Sequence, residues 1–138
     1  MPRPDLAAML GPLGRRLLAL ERPILAAHGV SMWGYAVLLR LADEPVRAQA
    51  ALAESIGADK TRLIPVLDEL QAAGLIERTP DPADRRARVL SITAAGRSLR
   101  DAVQTEIQAQ EERYLAVLPP DQREAFLTAL RTLAGFTG

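Results

Sequence analysis

The sequence predicts a mainly α-helical chain with one small β-hairpin set among the helices, an α+β organisation. Apolar residues recur at helical spacing towards both ends. Two short helical stretches meet at Gly57 in the middle of the chain. Directly after Gly74 the period changes to that of a strand, and a turn rich in proline and aspartate separates it from a second such stretch.

Taken in order, Leu6, Leu10, Leu13, Leu17, Leu20 and Ile24 step by four and three alternately, a seam on one face of a first helix. Gly11, Pro12 and Gly14 weaken its first half and Pro23 disturbs its second. A broken or late-starting helix ending near His28-Gly29 is therefore expected. Ser31 caps a second helix from Met32 to about Ala42, which Asp43-Glu44-Pro45 ends. Gln49 to Ile56 reads as a short third helix stopped by Gly57. Asp59 caps a fourth, Lys60 to Ala73, stopped by Gly74 and kinked, not broken, at Pro65. Leu75 to Thr79 suits a strand and Arg88 to Ile92 its return. Between them Pro80-Asp81-Pro82-Ala83-Asp84 predicts a long, proline-stiffened loop with arginines at its tip. Thr93 caps a long helix from Ala94 to about Val117. Pro119-Pro120 breaks it, and Asp121 starts a last helix carrying Phe126, Leu127, Leu130 and Leu133.

A chain of 138 residues suits one compact domain. It has no cysteine and one histidine, His28. That removes a disulfide framework, a thiol nucleophile and a cysteine-based zinc site, and leaves little for a Ser-His-Asp arrangement or a multi-histidine metal site. There is no glycine-rich phosphate loop and no paired-carboxylate pocket to place. The expectation is a protein that is not an enzyme and needs no metal or cofactor. Formal charge is zero overall, but nine basic residues against seven acidic ones lie between Arg47 and Arg100. The positive charge is thus gathered in the middle. No apolar run approaches the length of a membrane span, and Met1-Pro2-Arg3-Pro4-Asp5 does not open a signal peptide, so a cytoplasmic location is expected.

Helix, helix, hairpin in this order is a winged helix-turn-helix. Ala53 is small where the two helices cross, Gly57 takes the tight turn, and Leu63 fills the core beneath the second helix. A major groove admits such a helix, and the residues that start it reach the base edges. Arg62 can fork two bonds to a guanine, and Thr61 can meet a phosphate or a thymine methyl, with Lys60 beside them. Gln49 can donate to a phosphate together with the first amides of its helix. Arg85, Arg86 and Arg88 supply the hairpin's positive charge, which suits phosphates and a narrow minor groove.

The stretch Leu70-Gln71-Ala72-Ala73-Gly74-Leu75-Ile76-Glu77-Arg78 leads into Asp81-Pro82-Ala83-Asp84-Arg85-Arg86 and on to Ile92-Thr93-Ala94-Ala95-Gly96-Arg97. This resembles the MarR family of bacterial regulators. The family's wing pattern is Asp, any residue, Arg, five residues, Leu-Thr and a glycine soon after; Asp84, Arg86, Ile92, Thr93 and Gly96 meet it, with isoleucine where leucine is usual. The resemblance implies a homodimer in which residues 1–30 and 98–138 form the dimerisation region and 31–97 the DNA-binding region. It places Lys60, Thr61 and Arg62 in the major groove, and Asp84 holding Arg86 by an ion pair as Arg86 approaches the minor groove. Arg85 contacts phosphate in that arrangement. It also implies a small aromatic acid bound near His28, Trp33 and Tyr35; from spacing alone those residues suit ordinary packing and a surface histidine. The expected function is a repressor on a pseudo-palindromic operator, released by a small aromatic ligand. The alternative, which Pro65 and the zero net charge motivate, is a winged-helix protein-interaction module without specific DNA binding.

Overall fold

A computed structural model describes residues 2–136. The elements are α1 (Leu6–Ala27), α2 (Met32–Asp43), α3 (Gln49–Ile56), α4 (Lys60–Ala72), β1 (Ile76–Asp81), β2 (Asp84–Ile92), α5 (Ala94–Leu115) and α6 (Pro120–Ala134). The fold is mainly helical with a two-stranded antiparallel wing. No single helix among the described residues is long and apolar enough to cross a membrane.

Hydroxyl and carboxylate caps set three of the helix starts. Ser31 Oγ accepts from Gly34 N–H at 3.0 Å, Asp59 Oδ1 from Thr61 N–H at 2.9 Å, and Thr93 Oγ1 from Gly96 N–H at 3.0 Å. Each satisfies an N–H that has no partner inside its own helix. Gly57 ends α3 at φ 72°, a left-handed conformation that glycine adopts without a steric penalty, and so lets Asp59, the cap of α4, follow two residues further on.

Two expectations are corrected. α1 is one continuous helix of 22 residues, neither broken nor late, with Pro12 and Pro23 inside it. Each proline removes one N–H, and the carbonyls left over, on Ala8 and Ala19, belong to exposed residues that water can reach. The wing has no long loop: both strands extend to the tip, where only Pro82 and Ala83 connect Asp81 to Asp84. Two short aspartate turns close it. Asp81 Oδ1 accepts from Ala83 N–H at 2.9 Å and Asp84 Oδ1 from Arg86 N–H at 3.0 Å. Pairing is regular from Ile76↔Ile92 to Pro80↔Arg88 and then jumps to Asp81↔Asp84, so Arg85, Arg86 and Ala87 bulge from the ladder. α4 runs through Pro65 unbroken.

The core sits beneath α2, α3, α4 and the wing. Leu38, Leu41, Leu52, Leu63, Leu67, Ile76 and Leu90 are essentially inaccessible, and Val103 of α5 closes one side. Val46 joins the wing base through a reciprocal pair of backbone hydrogen bonds with Leu90, at 2.9 and 2.8 Å. This fixes the α2–α3 connection to β2. The terminal helices share little of that core: α1 contributes Leu25, and α6 has no buried residue.

Candidate nucleic-acid interface

Lys60, Thr61 and Arg62 form the exposed first turn of α4, while Leu63, Leu67 and Leu70 bury its opposite face. Arg85, Arg86 and Arg88 are exposed along β2. Among the described residues none of Lys60, Arg62, Arg85, Arg86 and Arg88 engages a carboxylate. Four of the acids interleaved with them are occupied elsewhere. Asp59 caps α4, Asp81 and Asp84 bind the tip backbone, and Asp68 is held by Arg78. A chain of zero net charge thereby leaves the cations of the α4 first turn and of β2 exposed and without ion-pair partners among the described residues.

The expected Asp84–Arg86 ion pair is not made. Asp84 instead accepts from the backbone N–H of Arg86, so its carboxylate shapes the tip and leaves the guanidinium free. Gln49 opens α3 as expected, behind Ala48, which offers no side-chain cap. Its Oε1 accepts from Arg78 Nη1 at 3.1 Å, which leaves the carboxamide N–H groups as donors.

Sequence reasoning missed Arg78. Half-buried on β1, it donates from Nη2 to Asp68 Oδ1 at 2.6 Å, from Nε to Gln71 Oε1 at 2.5 Å, and from Nη1 to Gln49. One guanidinium therefore ties the wing to α4 and to the first residue of α3. Beside it a polar cavity of about 370 Å³ is lined by Gln49, Gln71, Arg78 and Arg88, so α3, α4 and both strands meet at one surface. A signal was present: Arg78 stands two residues from buried Ile76, on the inward side of a strand, where an arginine needs partners.

A second cavity, of about 390 Å³, opens between α1 and α2. Trp33 and Tyr35 line it with Glu21, Leu25, Met32 and Leu39. His28 does not; its Nε2 lies 2.9 Å from Glu106 Oε1 on α5. Burial, reinforced by the negative charge of Glu21, pushes the Tyr35 hydroxyl up to about 12, so it remains a donor. Burial also raises the Glu21 carboxyl, with Glu111 of α5 adding to the effect.

Residues 30–87 match the model of the MarR family. The transcriptional regulator HosA of Escherichia coli O111:H- is 32% identical over 99 residues, spanning 72% of this chain and 73% of that protein. A regulatory protein for the hcr operon of Thauera aromatica is 29% identical over 112 residues, 81% of this chain and 68% of that one. Among solved structures, the transcriptional repressor CouR bound to a 23-mer DNA duplex superposes with a TM-score of 0.80 at 29% identity, over 94% of this chain and 92% of that one. CouR from Rhodococcus jostii RHA1 bound to p-coumaroyl-CoA gives 0.76 at 29% identity, over 97% and 94%. The wing motif, the fold and these likenesses agree, and the chain belongs to the MarR family of winged helix-turn-helix transcriptional regulators.

Proposed function

We propose that the chain is a cytoplasmic, non-enzymatic repressor that binds a pseudo-palindromic operator as a homodimer and lets go when a small aromatic ligand fills the α1–α2 cavity. The observation that carries this reading is the set of exposed, unpaired cations on the first turn of α4 and on β2, with Asp59, Asp68, Asp81 and Asp84 among them engaged elsewhere. In the proposal Arg62 and Thr61 read base edges, Lys60, Arg85, Arg88 and Gln49 meet phosphates, and Arg86 enters the minor groove. The repressor CouR, seen on duplex DNA, supports it. CouR is also seen with p-coumaroyl-CoA, which supports an aromatic effector.

Dimerisation is assigned to residues 1–30 and 98–138, with 31–97 as the DNA-binding region. Leu6, Met9 and Leu10 of α1 and Leu130 and Leu133 of α6 are exposed and share an apolar groove of about 470 Å³. A surface of that kind calls for a covering partner. Footprinting the protein on DNA upstream of its own gene tests the function. Two protected half-sites about 10 base pairs apart are expected. No protection at low salt, where phosphate contacts are strongest, would refute it.

A further inference from the structure

The charge lining the α1–α2 cavity identifies what enters it. Glu21 is the charged lining residue; no arginine, lysine or histidine lines the cavity. His28 is turned to Glu106, and Arg100, the cation whose field reaches Tyr35, is held by Asp101 and Gln104. Glu21 has no ion-pair partner among the described residues, and a second carboxylate, Glu111, acts on it through space. The remaining wall is apolar or aromatic and includes Trp33 and Tyr35.

On the reading of this cavity as the effector site, we propose that it takes an aromatic ring presenting a hydrogen-bond donor, a phenol hydroxyl or an amine, to Glu21, and that it rejects aromatic carboxylates. A volume of about 390 Å³ holds one substituted ring. Stacking on Trp33 and Tyr35 holds the ring, whether neutral or cationic. A donor at Glu21 replaces the water that burial has thinned there. A carboxylate in the same place brings a third negative charge beside Glu21 and Glu111, with no cation in the wall to meet it. This sets the chain apart from the aromatic acids that the family resemblance suggests.

Trp33 is the chain's single tryptophan, so quenching of its fluorescence reports the cavity directly. The full chain is titrated at neutral pH with methylparaben, with the para-hydroxybenzoate anion and with benzylamine. Methylparaben or benzylamine is expected to bind at least about tenfold more tightly than the anion. Methylparaben ahead of benzylamine identifies a neutral phenol, and the reverse order an amine. Glu21→Gln narrows the gap to about threefold or less, since removing the charge removes the repulsion. Glu111→Gln narrows it in the same direction and serves if the first variant does not fold. Equal or tighter binding of the anion, no quenching by any of the three, or a gap that survives Glu21→Gln overturns the proposal. Release of labelled operator DNA is followed separately. Ligands that quench Trp33 in the expected order yet leave DNA bound refute the effector reading while the ligand class stands.

Discussion

In the proposed complex, a guanidinium at the start of α4 and one in the wing meet different chemistry on duplex DNA. Arg62→Ala is expected to weaken operator binding by about 1–3 kcal/mol and to relax preference at one base pair. Arg86→Ala weakens binding across sequences and lowers the salt slope by about 1. Anisotropy titrations on the operator and on single-base variants, at several salt concentrations, separate the two. Arg78 acts indirectly. Its loss unties β1 from α4 and leaves the Asp68 carboxylate bare on the helix whose first turn carries Lys60 and Arg62. Arg78→Ala is expected to cost about 1–2 kcal/mol in urea unfolding, the half-exposed partners softening the loss. It also weakens DNA binding, and adding Asp68→Asn restores part of the affinity; no rescue would mean Arg78 contacts DNA itself. Glu21 and Glu111 contribute a pH dependence. Burial raises both carboxyls above their usual value, the larger cause in each case, with Glu111 acting on Glu21 and Glu112 on Glu111. The folded state then binds more protons than the unfolded one just above the usual carboxylate range, so stability falls as pH rises through that window. Glu21→Gln should raise the melting temperature at neutral pH and leave it unchanged in acid, below the usual carboxylate value.

At the scale of elements, α5 is seated against the turn between α4 and β1. Thr93 Oγ1 donates to the Gly74 carbonyl at 2.7 Å, and Thr93 N–H to the Leu75 carbonyl at 3.1 Å. Gly96 makes that approach possible: a methyl there would collide with the Leu75 carbonyl oxygen and stand 2.8 Å from Ile92 Cγ1. Gly96→Ala must push α5 away and should cost about 1–3 kcal/mol, read as a lower urea midpoint at unchanged slope. The caps at Ser31, Asp59 and Thr93 and the stop at Gly57 were legible because each depends on residues within a few positions. The exposure of Lys60, Arg62, Arg85, Arg86 and Arg88 was legible for a related reason, since solvated cations need no distant partner. Other features depend on distant or compensating contacts. Pro12 and Pro23 argue for a broken α1 until the lost bonds are found on a face open to water. Pro80 and Pro82 argue for a loop until Asp81 and Asp84 are seen to fold a two-residue tip. Arg78 gathers Gln49, Asp68 and Gln71 from other elements, so its inward place on β1 signals a need for partners without naming them, and Glu21 meets a carboxylate from α5, which no local pattern marks.

For the whole molecule, the uneven distribution of burial decides what must happen outside one chain. The core residues Val37, Leu38, Leu52, Leu63, Leu67 and Leu90 all belong to the central elements, while Leu10 at 48% and Leu130 at 38% exposure lie on terminal helices. In the proposed homodimer a second copy covers the terminal helices and removes that apolar surface from water, and a two-fold axis would set two α4 helices at the spacing of successive major grooves. On that proposal, affinity for a full operator would arise from two linked contacts, each weak alone. Leu10→Glu with Leu130→Glu places charges in the shared groove without touching the core. The double variant should keep the near-ultraviolet signal of packed Tyr35, sediment as a monomer, and bind the full operator no more tightly than an isolated half-site. The wild type should sediment as a dimer and prefer the full operator by orders of magnitude at moderate salt. If the double variant still sediments like the wild type, the terminal helices are not the dimer contact, and the spacing of the half-sites must be set by another surface.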